Sequence, residues 1–248
     1  TEIYTLSLHD ALPIYKHSAE AGRRGINRHK PVQRYIDKKR RLRYNFHVPG
    51  CAKLSRKTAY EYERGRISMA FDSAALIHKL PEIDLIVDLP LREKVVKVWE
   101  EALTRGGWKI EDLDKIPFTL LIKDCNISFR EHTRGVTKTA IAMAKAISET
   151  YGDRIKLNMD YLTAGAILHD VGKLLEYKKT DSGYAKSRSG ELLRHPFSGV
   201  MICGKFDMPE EVVHMIATHA KEGDLGKRIS EGYIINHADF ANFEPFHK

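Results

Sequence analysis

Apolar residues across residues 69–248 recur every three or four positions, and no segment sustains the period-two alternation of a half-buried strand. A helix-period pattern cannot bury its apolar face as a strand, so this spacing confines the chain to packed helices. Residues 91–106 place Val95, Val96, Trp99 and Leu103 on one face and stop at Gly106-Gly107. A turn and a short helix are expected around Pro117. A long helix over 128–150 follows, with Val136, Ala140, Met143, Ala144 and Ile147 inward. Another helix enters at Asn158 or Asp160 and runs through Leu168. Beyond a polar loop, KKTDSGYAKSRSGE, come HPFSGVMICGKF, a helix opened by Pro209 at its first position (PEEVVHMIATHA), and SEGYIINHADFANF. The expected fold is all-α, a helical bundle of about six helices.

Charge divides the chain unevenly. Its 248 residues hold 41 Lys and Arg against 33 Asp and Glu, a formal net charge of +8. Residues 15–68 contribute sixteen of those cations against four acids, whereas residues 69–248 hold 25 against 27. An electrostatic footprint for nucleic acid is therefore confined to the N-terminal part. Residues 1–14, TEIYTLSLHDALPI, match codon by codon the translation of a common sequencing adapter, so His9-Asp10 does not count as a metal motif. On that reading the chain is metagenomic, and its first Met, Met69, marks a candidate start. Residues 15–68 read as a basic arm. Within 47–80, Ser55 suits an N-cap, Tyr60 and Tyr62 a short helix and Gly65 its stop, followed by SMAFDSAALIHKL. This stretch resembles the recognition-helix end of a repressor-type helix-turn-helix, with Arg56, Lys57 and Arg64 facing phosphates or base edges. The alternatives are a solvated basic helix or sequence outside the native reading frame. Residues 69–115 read as a helical lead-in and 116–248 as the main helical domain.

Composition excludes other classes. Hydrophobic residues at 42% and charged ones at 30% describe a globular protein, and no apolar run approaches the ~18 residues of a membrane helix. Cys51, Cys125 and Cys203 are odd in number with no CxxC, which argues against a disulfide framework or a cysteine zinc site. With no secretory signal near the start, a cytoplasmic location is expected.

The chemistry-bearing residues fall at helix ends. His132 lies near the start of the long helix, His169-Asp170 end the next, His195 follows the polar loop, His219 ends the PEEVVHMIATH helix and Asp239 sits in the last. Metal sites in bundles are assembled from side chains on facing helices. Imidazole and carboxylate without thiolate suit Mn, Fe, Co, Ni or Zn in an open site. Six ligands are enough for two ions sharing Asp170. Gly172 is expected to let the chain turn tightly, and Lys173, three residues after Asp170, returns to its face, where an ammonium can neutralise a substrate phosphate. Lys186, Arg188 and Arg194 flank the polar loop as phosphate contacts or as solvated loop residues. His78, His214, His237 and His247 read as ordinary core or surface residues, with His214 a candidate to support a ligand from behind.

The ordered pattern H, HD, H, H, D, with HDVGKLLEY, GELLRHPFSGV, VVHMIATHAKEGD and IINHADF, resembles the HD superfamily of metal-dependent phosphohydrolases over residues 116–248. These segments look most like the branch holding bacterial exoribonucleases and diadenosine-polyphosphate hydrolases. The resemblance implies that His132, His169, Asp170 and Asp239 bind one divalent ion and Asp170, His195 and His219 another, of Mn, Fe, Co, Ni or Mg. It further implies that Asp170 and Lys173 are catalytic. The expected activity is a phosphodiesterase or phosphomonoesterase on a nucleotide-like substrate, using a metal-activated hydroxide. The chain departs from the ribonuclease pattern at Ala220, where that branch has a His pair, and lacks its nucleic-acid-binding barrel. It stops nine residues after Asp239, where a closing helix is expected. An HD-type di-iron oxygenase uses a similar ligand set and stays open as an alternative. So does a DNA-binding regulator with a nucleotide-sensing HD domain.

Overall fold

A computed structural model describes residues 71–247. The adapter-like segment, the basic arm and most of the 47–80 stretch, with Arg56, Lys57 and Arg64, lie outside the described residues. The part of that stretch inside them is α1 (Ser73–Lys79), whose Leu76 is fully buried in the domain core.

The architecture is all-α. Helix α2 (Leu89–Gly106) buries Leu91, Val95, Val98, Trp99, Ala102 and Leu103 and leaves Val96 at its margin. It ends where Gly107 turns left-handed at φ 71°, so that the N–H of Trp108 reaches back to the Leu103 carbonyl at 2.9 Å. Helix α3 (Phe129–Tyr151) starts on a reciprocal cap: the Glu131 N–H donates to the Ser128 hydroxyl, and the Ser128 N–H donates to the Glu131 carboxylate. Its buried stripe is Phe129, His132, Thr133, Val136, Thr137, Ala140 and Ala144, so His132 occupies a core position of the helix.

The centre of the bundle is α4 (Met159–Leu168), entered at Asn158, whose side chain accepts from the Tyr161 N–H. Every residue from Leu162 to Leu168 is buried, as expected of a helix surrounded by others. Asp160, the other candidate cap, instead accepts from the N–H groups of Val87 and Asp88 and ties the start of α2 to this helix. After a tight turn come α5 (Lys173–Glu176), α6 (Arg188–Leu192), α7 (His195–Cys203), α8 (Glu210–Thr218) and α9 (Ser230–Ala241). Helix α4 packs on α3, α8 and α9, and α7 packs on α8.

Two expectations shift. The polar loop contains a small antiparallel hairpin, β1 (Tyr177–Thr180) with β2 (Gly183–Lys186), turned by Asp181-Ser182 into Gly183 at φ 126°. Four-residue strands with exposed or half-buried side chains carry too little apolar alternation to show a period. Pro209 stands just outside α8, at its N-cap with extended ψ, rather than at the first helical position.

Gly172 also has a different reason from a special turn. Its φ is −65°, open to any residue, but a Cβ there would lie 2.0 Å from the His195 carbonyl oxygen and 2.7 Å from the Gly199 nitrogen. The missing side chain lets α7 press its backbone onto the turn after Asp170. Gly172→Ala should therefore destabilise the fold by about 3 kcal/mol or more, since backbone must move to admit the methyl group. Urea denaturation is the measurement; at exposed Gly107, the cap after α2, where the obstacle is φ alone, an Ala should cost about 1 to 2 kcal/mol.

Candidate metal centre

Five elements deliver six side chains to one point. His132 comes from the first turn of α3, His169 and Asp170 from the end of α4, His195 from the first residue of α7, His219 from the end of α8 and Asp239 from α9. They form two groups of three, His132–His169–Asp239 and Asp170–His195–His219, each with donor atoms within 4.8 Å of one another. Asp170 faces both. Its Oδ2 lies 3.5 Å from His132 Nε2 and 3.3 Å from His169 Nε2, while its Oδ1 lies 3.3 Å from His195 Nε2 and 3.6 Å from His219 Nε2. Asp239 Oδ1 closes the first group at 3.1 Å from His132 Nε2 and 3.8 Å from His169 Nε2. The sequence pattern thus converges in space at all six positions.

Hydrogen bonds behind the rings fix which nitrogen faces inward. His169 Nδ1 lies 2.7 Å from the Ala166 carbonyl and His219 Nδ1 2.8 Å from the Ile216 carbonyl, each one helical turn back. His195 Nδ1 and its own backbone N–H both donate to Glu176 Oε2, at 2.8 and 2.9 Å. A carbonyl or carboxylate at Nδ1 holds the proton there and turns the Nε2 lone pair toward the centre. The consequence is sharpest at His195 and His219, whose Nε2 atoms are 3.2 Å apart. With both Nδ1 positions protonated, two lone pairs face each other in a buried site, an arrangement that a cation between them satisfies. His169 Nε2 and both nitrogens of His132 likewise have no hydrogen-bond partner among the described residues. This donor set fits divalent metal.

The electrostatics agree. Burial opposes ionisation of Asp170, but Lys173 and His169 hold its carboxyl well below the usual range. Burial likewise opposes ionisation of Asp239, and the close His132 and His169 imidazoles outweigh it, bringing Asp239 down to about 2. Burial pushes His195 down to about 4 even with Glu176 beside it, so the ring is neutral and free to ligate. At His132 burial is outweighed by Asp170 and Asp239, which raise its pKa; without a cation the two carboxylates draw a proton onto this ring.

Lys173 returns to the Asp170 face as the i, i+3 spacing requires, donating to Asp170 Oδ2 at 2.6 Å and to the Phe118 carbonyl at 2.8 Å. Its ammonium is partly committed to holding the shared carboxylate and still lines the cleft over the site. That cleft encloses about 790 Å³ including its open mouth, and Lys186 and Arg194 also line it. Arg188 does not; its side chain is 78% exposed and pairs with Glu191 outside the cleft. His214 does not support a ligand: its Nε2 accepts from the Ile229 N–H at the start of α9. His78, His237 and His247 are exposed.

Several supporting residues carried no sequence signal. Glu176 orients His195 yet reads in LLEY as an ordinary polar residue. Arg228 donates to the Thr218 and Ala220 carbonyls and Asn236 to the His219 carbonyl, so three successive carbonyls where α8 ends are held by side chains. Phe118 stacks on the His132 ring with centroids 4.5 Å apart.

Residues 129–240 match the HD domain family. The chain is 36% identical over 113 residues to the dihydroneopterin 2',3'-cyclic phosphate phosphodiesterase of Methanocaldococcus jannaschii, covering 45% of each protein. It is 24% identical over 168 residues to ribonuclease Y of Mesoplasma florum, covering 65% of this chain and 29% of that one. The chain therefore spans less than half the length of these curated relatives. No solved structure matches it.

The depressed His195 gives a pH signature. Its folded pKa of about 4 lies below the ordinary 6.5, so its contribution to stability is complete above pH 6.5 and lost as pH falls toward 4. In metal-free protein this loss should amount to about 3 kcal/mol. His132, raised by its carboxylates, contributes with the opposite sign and offsets part of it. Urea titrations at several pH values on chelator-treated wild type and His195→Asn check this: the variant should lose less stability between pH 7 and 4.5, and identical slopes would exclude it.

Proposed function

We propose, from an HD domain over residues 129–240, that this protein is a metal-dependent phosphoric ester hydrolase, most specifically a phosphodiesterase acting on a nucleotide-like ester. The observation that carries the reading is the pair of three-residue groups joined through the two oxygens of one carboxylate. His132, His169, Asp170 and Asp239 would hold one divalent ion and Asp170, His195 and His219 a second. Ions so held supply Lewis-acid polarisation of a phosphoryl group and a lowered pKa for water near neutral pH. The relatives named a cyclic phosphate phosphodiesterase and a ribonuclease act on phosphodiesters by those names, which supports the choice of ester.

The remaining roles follow from the chain's own side chains. Asp170 and Asp239 are both ionised at neutral pH, so neither is a proton donor to a leaving group. Lys173 has its pKa raised above the ordinary lysine value, largely by Asp170 working against burial, so it stays an ammonium. It therefore acts through charge, fixing Asp170 and meeting negative charge on the phosphoryl oxygens as it develops. Glu176 keeps the His195 proton on Nδ1. The fully buried Phe118 ring stacks on His132 and restricts how that imidazole can turn.

The test is metal content together with turnover of a phosphodiester panel that includes a 2',3'-cyclic phosphate. Asp170→Ala should lose more than a thousandfold in kcat/KM together with bound metal, whereas Arg188→Ala, outside the cleft, should stay within about twofold of wild type. Full activity of the Asp170 variant, or oxygen consumption by iron-loaded wild type with no phosphate ester cleaved, would contradict the reading.

A further inference from the structure

The cleft has two chemically different ends, and each belongs to one of the two ligand groups. Beside His132 and Asp239 stand three aromatic rings: Phe118 stacked on His132, Phe243 edge-on to Phe118 with centroids 6.0 Å apart, and Phe240 next in the chain to Asp239. Beside His195 and His219 stand three cations. Arg194 immediately precedes His195, Lys221 follows His219 by two residues, and Lys186 reaches toward Glu176, the carboxylate that orients His195.

These cations are only partly neutralised. Arg194 donates through Nε to Glu222 at 2.9 Å, and its two terminal nitrogens make no hydrogen bond among the described residues. Lys186 Nζ lies 3.9 Å from Glu176 Oε1, beyond hydrogen-bond distance, while the other oxygen of Glu176 serves His195. Lys221 is exposed and has no ion pair among the described residues. Three cations against the two carboxylates of Glu176 and Glu222 leave this end of the cleft with an excess of positive charge.

We propose that Lys186, Arg194 and Lys221 form a subsite for a second anionic group. The cleft then selects phosphate esters with a planar ring on one side of the reacting phosphate and a further phosphate on the other. This rests on the phosphoester reading above and adds an orientation to it. The ring packs against half-buried Phe243, which fully buried Phe118 backs, next to the first ligand group, where an aromatic side chain offers apolar contact. The second phosphate meets the cationic end next to the second group, where charge-assisted bonds to the free guanidinium nitrogens are strongest.

The experiment compares one nucleoside 2',3'-cyclic phosphate with and without a 5'-phosphate. Both Kd, by calorimetry, and turnover are measured on metal-loaded wild type, Lys221→Ala, Lys221→Glu and Phe243→Ala. The 5'-phosphate should tighten binding to wild type about tenfold or more, Lys221→Ala should cut that gain several-fold, and Lys221→Glu should abolish it. Phe243→Ala should weaken both ligands alike by about tenfold. Equal Kd values for the two ligands on wild type, a gain untouched by Lys221→Glu, or no weakening at Phe243→Ala would overturn the proposal. A preserved 5'-phosphate preference with neither ligand cleaved would support the subsite while removing the hydrolase reading.

Discussion

Asp170 is 2% exposed and ionised, and a carboxylate so placed is tolerated only if its charge is met from every side. Lys173 meets one oxygen directly, and the Nε2 atoms of four histidines surround the pair. Much of the fold serves this one demand. Helix α4 is apolar on all sides because it must carry the His169-Asp170 pair to the middle of the bundle. The turn after it lacks a side chain at Gly172 so that α7 can bring His195 against the same carboxylate.

Preorganisation is shared among short-range hydrogen bonds rather than one network. His169 and His219 are oriented by carbonyls of their own helices, so their tautomer is built into the helix ends that present them. His195 begins its helix and has no such carbonyl, and Glu176 performs the task instead. The end of α8 is finished by Arg228 and Asn236, which bond successive carbonyls around His219 and so fix the direction from which that ring enters.

The convergence of the six candidate ligands was legible because its signal is long-range and ordered: six His and Asp side chains placed at or near helix ends, with HDVGK as the most specific segment. Helices α2, α3 and α4 were legible because their apolar stripes and caps are continuous, down to the Asn158 and Gly107 boundaries. The hairpin was not, since a pair of four-residue strands shows no period. Gly172 was read as a turn residue although its need is interhelical contact, which no local pattern contains. Glu176, Arg228 and Asn236 are single polar residues in ordinary surroundings, and only the three-dimensional placement of the carbonyls and rings gives them meaning. Of the three cations expected near the substrate, Lys186 and Arg194 line the cleft, while Arg188, on the exposed side of α6, does not.

The central claim is that one shared carboxylate unites two metal-binding groups into a single centre. Metal content per chain after reconstitution, measured by mass spectrometry on chelator-stripped and dialysed protein, tests it most directly. The account predicts a stoichiometry approaching two divalent ions per chain. One tightly held ion with no second, or none at all, would contradict it.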